Sequence, residues 1–107
     1  MFDIESIRVM FDGNAVEYTQ HFKARIKERK IKHADVKQAL LTGEIIEQHL
    51  DDEPLPSILV LGYIGVAQPL HIVVSIDDDK IWLVTAYIPS KEVWERDNKT
   101  RKVVKKL

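Results

Sequence analysis

At 107 residues, with 45% apolar and 31% charged side chains and a net charge of −1, the chain is sized and composed for one folded domain, residues 1–107. The lack of cysteine excludes disulfides, thiolate metal sites and a cysteine nucleophile. No leader pattern and no apolar run near the roughly 18 residues that span a bilayer is visible, so a cytoplasmic protein without a membrane partner is expected.

Phe2 to Phe11 reads as a helix stopped near Asp12-Gly13-Asn14, and Ala15 to Tyr18 as a short strand or an extended lead-in. Thr19 then caps a helix reaching Arg29. Within it Phe22 and Ile26 make an apolar stripe. His21, Arg25 and Arg29 recur every fourth residue on the adjoining side. Another helix covers Ala34 to Thr42, buries Val36, Ala39 and Leu40, and stops at Gly43.

From Glu44 the period shortens to that of strands: Glu44–Leu50, Ile58–Ile64, Leu70–Ile76 and Lys80–Ile88, joined by hairpin-like turns. Pro89 closes the sheet, and Ser90 is positioned to cap a last helix from Lys91 to about Arg101, with Val93 and Trp94 facing inward. The expected fold is α+β: N-terminal helices on a four-stranded antiparallel meander, then a C-terminal helix.

Alternation puts His71, Val73 and Ser75 on one face of their strand. On the returning strand Ile81, Leu83, Thr85 and Tyr87 are expected to share a face. A three-aspartate loop, Asp77 to Asp79, sets His71 opposite Thr85; a two-residue loop sets it opposite Ala86. If the helical stripe meets that face, His21, Arg25, Arg29, His71, Thr85 and Tyr87 make a metal-free, cofactor-free ribonuclease site. Histidine suits the two proton transfers and arginine suits the phosphate, whose oxygens match its fork. Residues 20–33 and 96–107 each carry six cations against one carboxylate, +5 apiece, and would attract RNA if they lie together. The competing expectation is a non-catalytic interaction domain, with these charges as solvated faces or surface ion pairs and His71 as a core histidine.

The ordered motifs HFKARIKERKI, DVKQALLTGEIIEQ, PSILVLGYI, PLHIVVSID and WLVTAYIPSKEVWERD resemble the bacterial domain-of-unknown-function 4258 family over about residues 19–101. That family is similar to the RelE-like, barnase and colicin-nuclease fold group and to MqsR-type toxins. The resemblance implies a toxin-type, metal-independent endoribonuclease acting on RNA, with a small zinc-finger antitoxin as partner. By position, the family's His-x-x-x-Arg-x-x-x-Arg falls on His21, Arg25 and Arg29, its Pro-Leu-His on Pro69 to His71, and its Thr-Ala-Tyr-x-Pro on Thr85 to Pro89. Where the family has a glycine after the second arginine, this chain has Lys30.

Overall fold

The computed structural model describes residues 2–103; Lys105 and Lys106 of the basic tail lie outside the described residues. The elements are α1 (Ile4–Asp12), β1 (Val16–Tyr18), α2 (Gln20–Glu28), α3 (His33–Thr42), β2 (Glu44–His49), β3 (Ser57–Ile64), β4 (Gln68–Asp77) and β5 (Lys80–Tyr87). This is the α+β class, with three helices and a five-stranded sheet ordered β1-β5-β4-β3-β2 among the described residues.

The antiparallel meander from β2 to β5 follows the sequence reading. The count of four strands does not, because β1 adds a fifth, parallel to β5, with Val16 to Tyr18 beside Ile81 to Leu83. A three-residue strand is too short to show a period, so only its pairing reveals it.

All three helices cover one face of the sheet. Ile7, Phe11, Phe22, Ile31, Val36 and Leu40 meet Ile58, Val60, Ile72, Val74, Ile81 and Leu83 in one core. β3 and α3 approach closely at Gly62, where an added Cβ would lie 2.0 Å from the Ala39 carbonyl oxygen. Only a residue without a side chain allows the helix backbone that near the strand.

α2 is positioned at both ends. The Thr19 hydroxyl accepts the Phe22 N–H at 2.9 Å, and the Thr19 N–H donates to the Leu83 carbonyl at 3.3 Å, tying the helix start to β5. At the other end Lys30 donates to the Lys27 carbonyl and Ile31 to the Ile26 carbonyl, a Schellman arrangement. That arrangement needs a left-handed residue, and Lys30 takes φ +57°. Glycine suits such a position, and a lysine holds it against its steric preference.

Among the described residues the expected helix from Lys91 to about Arg101 is absent. After Tyr87 the described chain forms one tight turn, in which Trp94 donates to the Ser90 carbonyl, and then a small hairpin. In that hairpin Trp94 bridges Arg101, Glu95 donates to the Thr100 carbonyl and Lys102 to the Val93 carbonyl. The Asp97 carboxylate accepts the N–H groups of Lys99 and Thr100, and Asn98 adopts φ +60°. These local bonds replace helical ones. Trp94 is buried as expected, whereas Val93 is exposed.

Candidate active site

The face of the sheet opposite the helices carries the polar groups. A bulge in β5 decides which. Val74 pairs with Leu83 but Val73 pairs with Thr85, leaving Val84 without a partner. The extra residue flips the facing of everything after it. Ile81, Leu83 and Ala86 therefore point to the core, while Thr85 and Tyr87 point to the open face. This corrects the expectation that Ile81, Leu83, Thr85 and Tyr87 share one face. The apolar spacing 81, 83, 86, two residues and then three, is the sequence signal of the bulge.

The register is corrected by the same feature. The turn has two residues, with Asp77 paired to Lys80, which alone would set His71 opposite Ala86. The bulge advances the pairing by one, so His71 lies opposite Tyr87 rather than Thr85 or Ala86. His71, Thr85 and Tyr87 thus occupy one face.

Arg29 reaches this group from the helical side. β1 covers the edge of β5 only as far as Leu83; beyond it the Val84 carbonyl accepts from the Thr19 hydroxyl at 3.4 Å, and the Ala86 carbonyl is left to a side chain of α2. The Arg29 guanidinium donates to the Ala86 carbonyl at 2.7 Å and to the Thr85 hydroxyl at 3.3 Å. Arg25 and His21 stand one and two turns before it on the same side of α2, the further of them roughly 12 Å away along the axis. Arg25 pairs with Glu28 at 2.9 Å, and His21 is exposed and makes no hydrogen bond among the described residues. Arg29, Thr85, Tyr87 and His71 are brought together, while His21 and Arg25 extend away along the helix.

His71 is fully buried. Its Nε2 donates to the Asn98 carbonyl at 2.7 Å, which fixes the tautomer because a carbonyl can only accept. Its Nδ1 is then an acceptor for the Tyr87 hydroxyl at 3.3 Å. The Trp94 ring meets the imidazole edge to face, with centroids 4.5 Å apart. Burial holds the His71 imidazole below its ordinary pKa, so it is the neutral form that packs here. Burial likewise raises the Tyr87 phenol, which also senses Arg101, Glu47 and Arg29.

Four participants were missed in the sequence: Glu47, Trp94, Asn98 and Arg101. Arg101 donates to the Glu47 carboxylate at 2.8 and 3.1 Å and lies 4.6 Å above the Trp94 ring. The Arg101 hydrogen bonds, with help from His49 at 2.9 Å, hold Glu47 below the usual carboxylate range. Lys99 pairs with Glu44 at 2.7 Å. Two cations of the C-terminal segment are therefore neutralised by β2 instead of joining α2 in one basic patch. No spacing rule links positions 54 residues apart, and reading this segment as a helix hid the pairing.

Among the described residues no helix is long and apolar enough to cross a membrane, and no group of three or more His, Asp or Glu side chains is placed to hold a metal ion. No curated protein and no solved structure matches the chain. A family described as a domain of unknown function, DUF4258, matches residues 18–88, from the end of β1 to the residue after β5. That span is well over half of the chain and contains the bulge, the Arg29 contact and His71, so the chain belongs to the DUF4258 family.

Proposed function

We propose that the chain is a metal-independent endoribonuclease of toxin-antitoxin type, related to the RelE, barnase and MqsR ribonucleases, with RNA as substrate and a small zinc-finger antitoxin as its cognate partner. The observation that carries this reading is the Arg29 guanidinium turned around the open edge of β5 onto the Thr85 hydroxyl, beside the Tyr87 phenol. A cation and two hydroxyls converge there on a surface that a phosphodiester can reach. Arg29 and Arg25 hold the phosphate oxygens, and Thr85 orients them. His21, two turns before Arg29 on the same side of α2, swings its exposed ring along the helix toward the phosphate and takes the proton of the ribose 2′-hydroxyl. The O2′–P bond forms, the P–O5′ bond breaks, and the Tyr87 hydroxyl, turning from His71 Nδ1, gives its proton to the departing oxygen. The products are a 2′,3′-cyclic phosphate and a 5′-hydroxyl end. His71 acts through Tyr87 and is a positioning residue, since both of its ring nitrogens are engaged.

A second reading has its own support. His71, one of the two expected proton carriers, is enclosed, and Glu44 and Glu47 are satisfied by the chain's own Lys99 and Arg101. A non-catalytic interaction domain would look the same. The two readings separate on incubation of the full chain with RNA and detection of cyclic phosphate ends. Under the first, cleavage is seen, His21→Ala lowers it about 10²–10⁴-fold and Arg29→Ala about 10²–10³-fold. Intact RNA with folded wild type, both free and after removal from its antitoxin, rejects the nuclease and leaves the interaction domain.

A further inference from the structure

The bend that replaces the expected C-terminal helix encloses a groove of about 810 Å³ against the ends of β4 and β5. Its floor is apolar: Pro69, Ile88, Pro89 and an edge of Trp94. Ile88 is 45% exposed, an uncovered aliphatic side chain one residue beyond Tyr87. Three cations, Lys91, Arg96 and Lys102, stand around the floor against one carboxylate, Glu95. Among the described residues none of the three has an ion-pair partner, in contrast to Lys99 and Arg101 on the same segment. Gln68 and Asn98 add carboxamides at the wall.

We propose that this groove seats a nucleotide of single-stranded nucleic acid next to the scissile phosphate, its base on Pro69 and Ile88 and its flanking phosphates on Lys91, Arg96 and Lys102. This rests on the ribonuclease reading for its substrate class and extends it to a second site. The chemistry favours a nucleotide because an apolar floor presented by Ile88 and Pro69, carboxamides that can meet base edges, and an excess of two positive charges occur together. A base offers a face to the floor and a phosphate to the rim. An acidic peptide would use the cations and leave the floor uncovered. The groove adjoins the Arg29–Thr85–Tyr87 group along the chain: Ile88 follows Tyr87, and Pro69 lies two residues before its partner His71, on the same face of β4.

The test is fluorescence anisotropy of a short labelled single-stranded oligodeoxynucleotide with the full chain. Without a 2′-hydroxyl this probe reports binding and cannot be cleaved by the proposed chemistry. The double variant Lys91→Ala/Lys102→Ala, both exposed positions, is expected to bind about tenfold more weakly at low salt, and its salt dependence to flatten by about 1.4, or ~0.7 for each phosphate no longer neutralised. Ile88→Asp, which sets a carboxylate on the floor, is expected to weaken binding as much. Lys37→Ala, on the exposed side of α3, is expected to match wild type. Equal binding by wild type and the groove variants overturns the proposal. So does no binding by wild type, or competition by polyglutamate as strong as by unlabelled oligonucleotide. RNA cleavage with groove-independent binding removes the groove alone. Groove-dependent binding with RNA left intact supports the groove and removes the cleavage reading alone.

Discussion

The two faces of the sheet are built by different physics. The helical face is closed by aliphatic and aromatic side chains that need only burial and shape, and it holds Phe22, Val36, Ile58 and Ile72 completely away from solvent. The other face is closed by a non-helical segment that holds on through directional contacts: the His71–Asn98 hydrogen bond, the Glu47–Arg101 pair and Trp94 against the imidazole. Burial energy does not depend on pH, whereas these contacts do. Stability of the molecule therefore resides mainly on one side, and adjustability on the other.

The sharpest way to break the helical side is at its tightest approach. Gly62→Ala places a Cβ 2.0 Å from the Ala39 carbonyl oxygen and 2.6 Å from the Ala39 Cα, backbone atoms that cannot move aside. The expected cost is about 3 kcal/mol, at the upper end of ordinary overpacking. Urea unfolding followed by circular dichroism reads it as a lower midpoint with the slope unchanged. A cost under about 0.5 kcal/mol would mean that α3 slides freely over β3, and the rigid-face description would fail.

On the open side the expected effect is smaller and depends on pH. His71→Ala removes the ring between Trp94 and Tyr87 and leaves the Asn98 carbonyl without its donor, at a cost of about 2 kcal/mol at pH 8. The folded-state pKa of His71 lies below its ordinary value of 6.5 because burial disfavours the imidazolium. The unfolded chain therefore binds the extra proton first as pH falls. The stability owed to neutral His71 is complete above pH 6.5 and is lost as pH drops through the folded value. The gap between wild type and His71→Ala should narrow between pH 8 and pH 5. Glu47 and Arg101, the charges that face His71, keep their ionisation across that window. A gap that stays constant with pH would show that the histidine acts only as a spacer.

The same contrast explains what was legible in the sequence. Periods of 3.6 and 2 report burial on one side of an element, so the helices, the meander and core positions such as Phe22, Val36 and Ile72 could be read directly. The open face depends on register and on pairing between distant positions. One residue, Val84, shifts the register, and nothing in a run of good strand formers marks it except the changed apolar spacing from Ile81 and Leu83 to Ala86. That Thr85 and Tyr87 share a face with His71 was expected from one register and arises from another. Glu47 and Arg101 were out of reach, because their pairing requires the chain after Pro89 to turn back, and Ser90 followed by Val93 and Trp94 looks like a capped amphipathic turn. The local competition from Asp97 and Asn98 outweighs that pattern.

The smallest effect expected lies where the two faces meet, at the end of α2. Lys30 occupies φ +57° so that Ile31 can donate to the Ile26 carbonyl and tuck its own side chain into the core. A side chain in that conformation costs about 1–2 kcal/mol. Glycine avoids this cost but gives the unfolded chain more freedom to lose, about 0.5–1 kcal/mol. Lys30→Gly should therefore stabilise the fold by about 0.5–1 kcal/mol, read as a higher midpoint in urea. The same substitution removes a cation one residue from Arg29 while firming the turn that presents it. Under the ribonuclease proposal, cleavage should hold or rise, and the salt dependence of RNA binding should flatten only if Lys30 itself touches a phosphate. A loss of stability on Lys30→Gly would mean that the lysine side chain contributes more than its backbone strain costs. The end of α2 would then belong with the charged face rather than with the packed one.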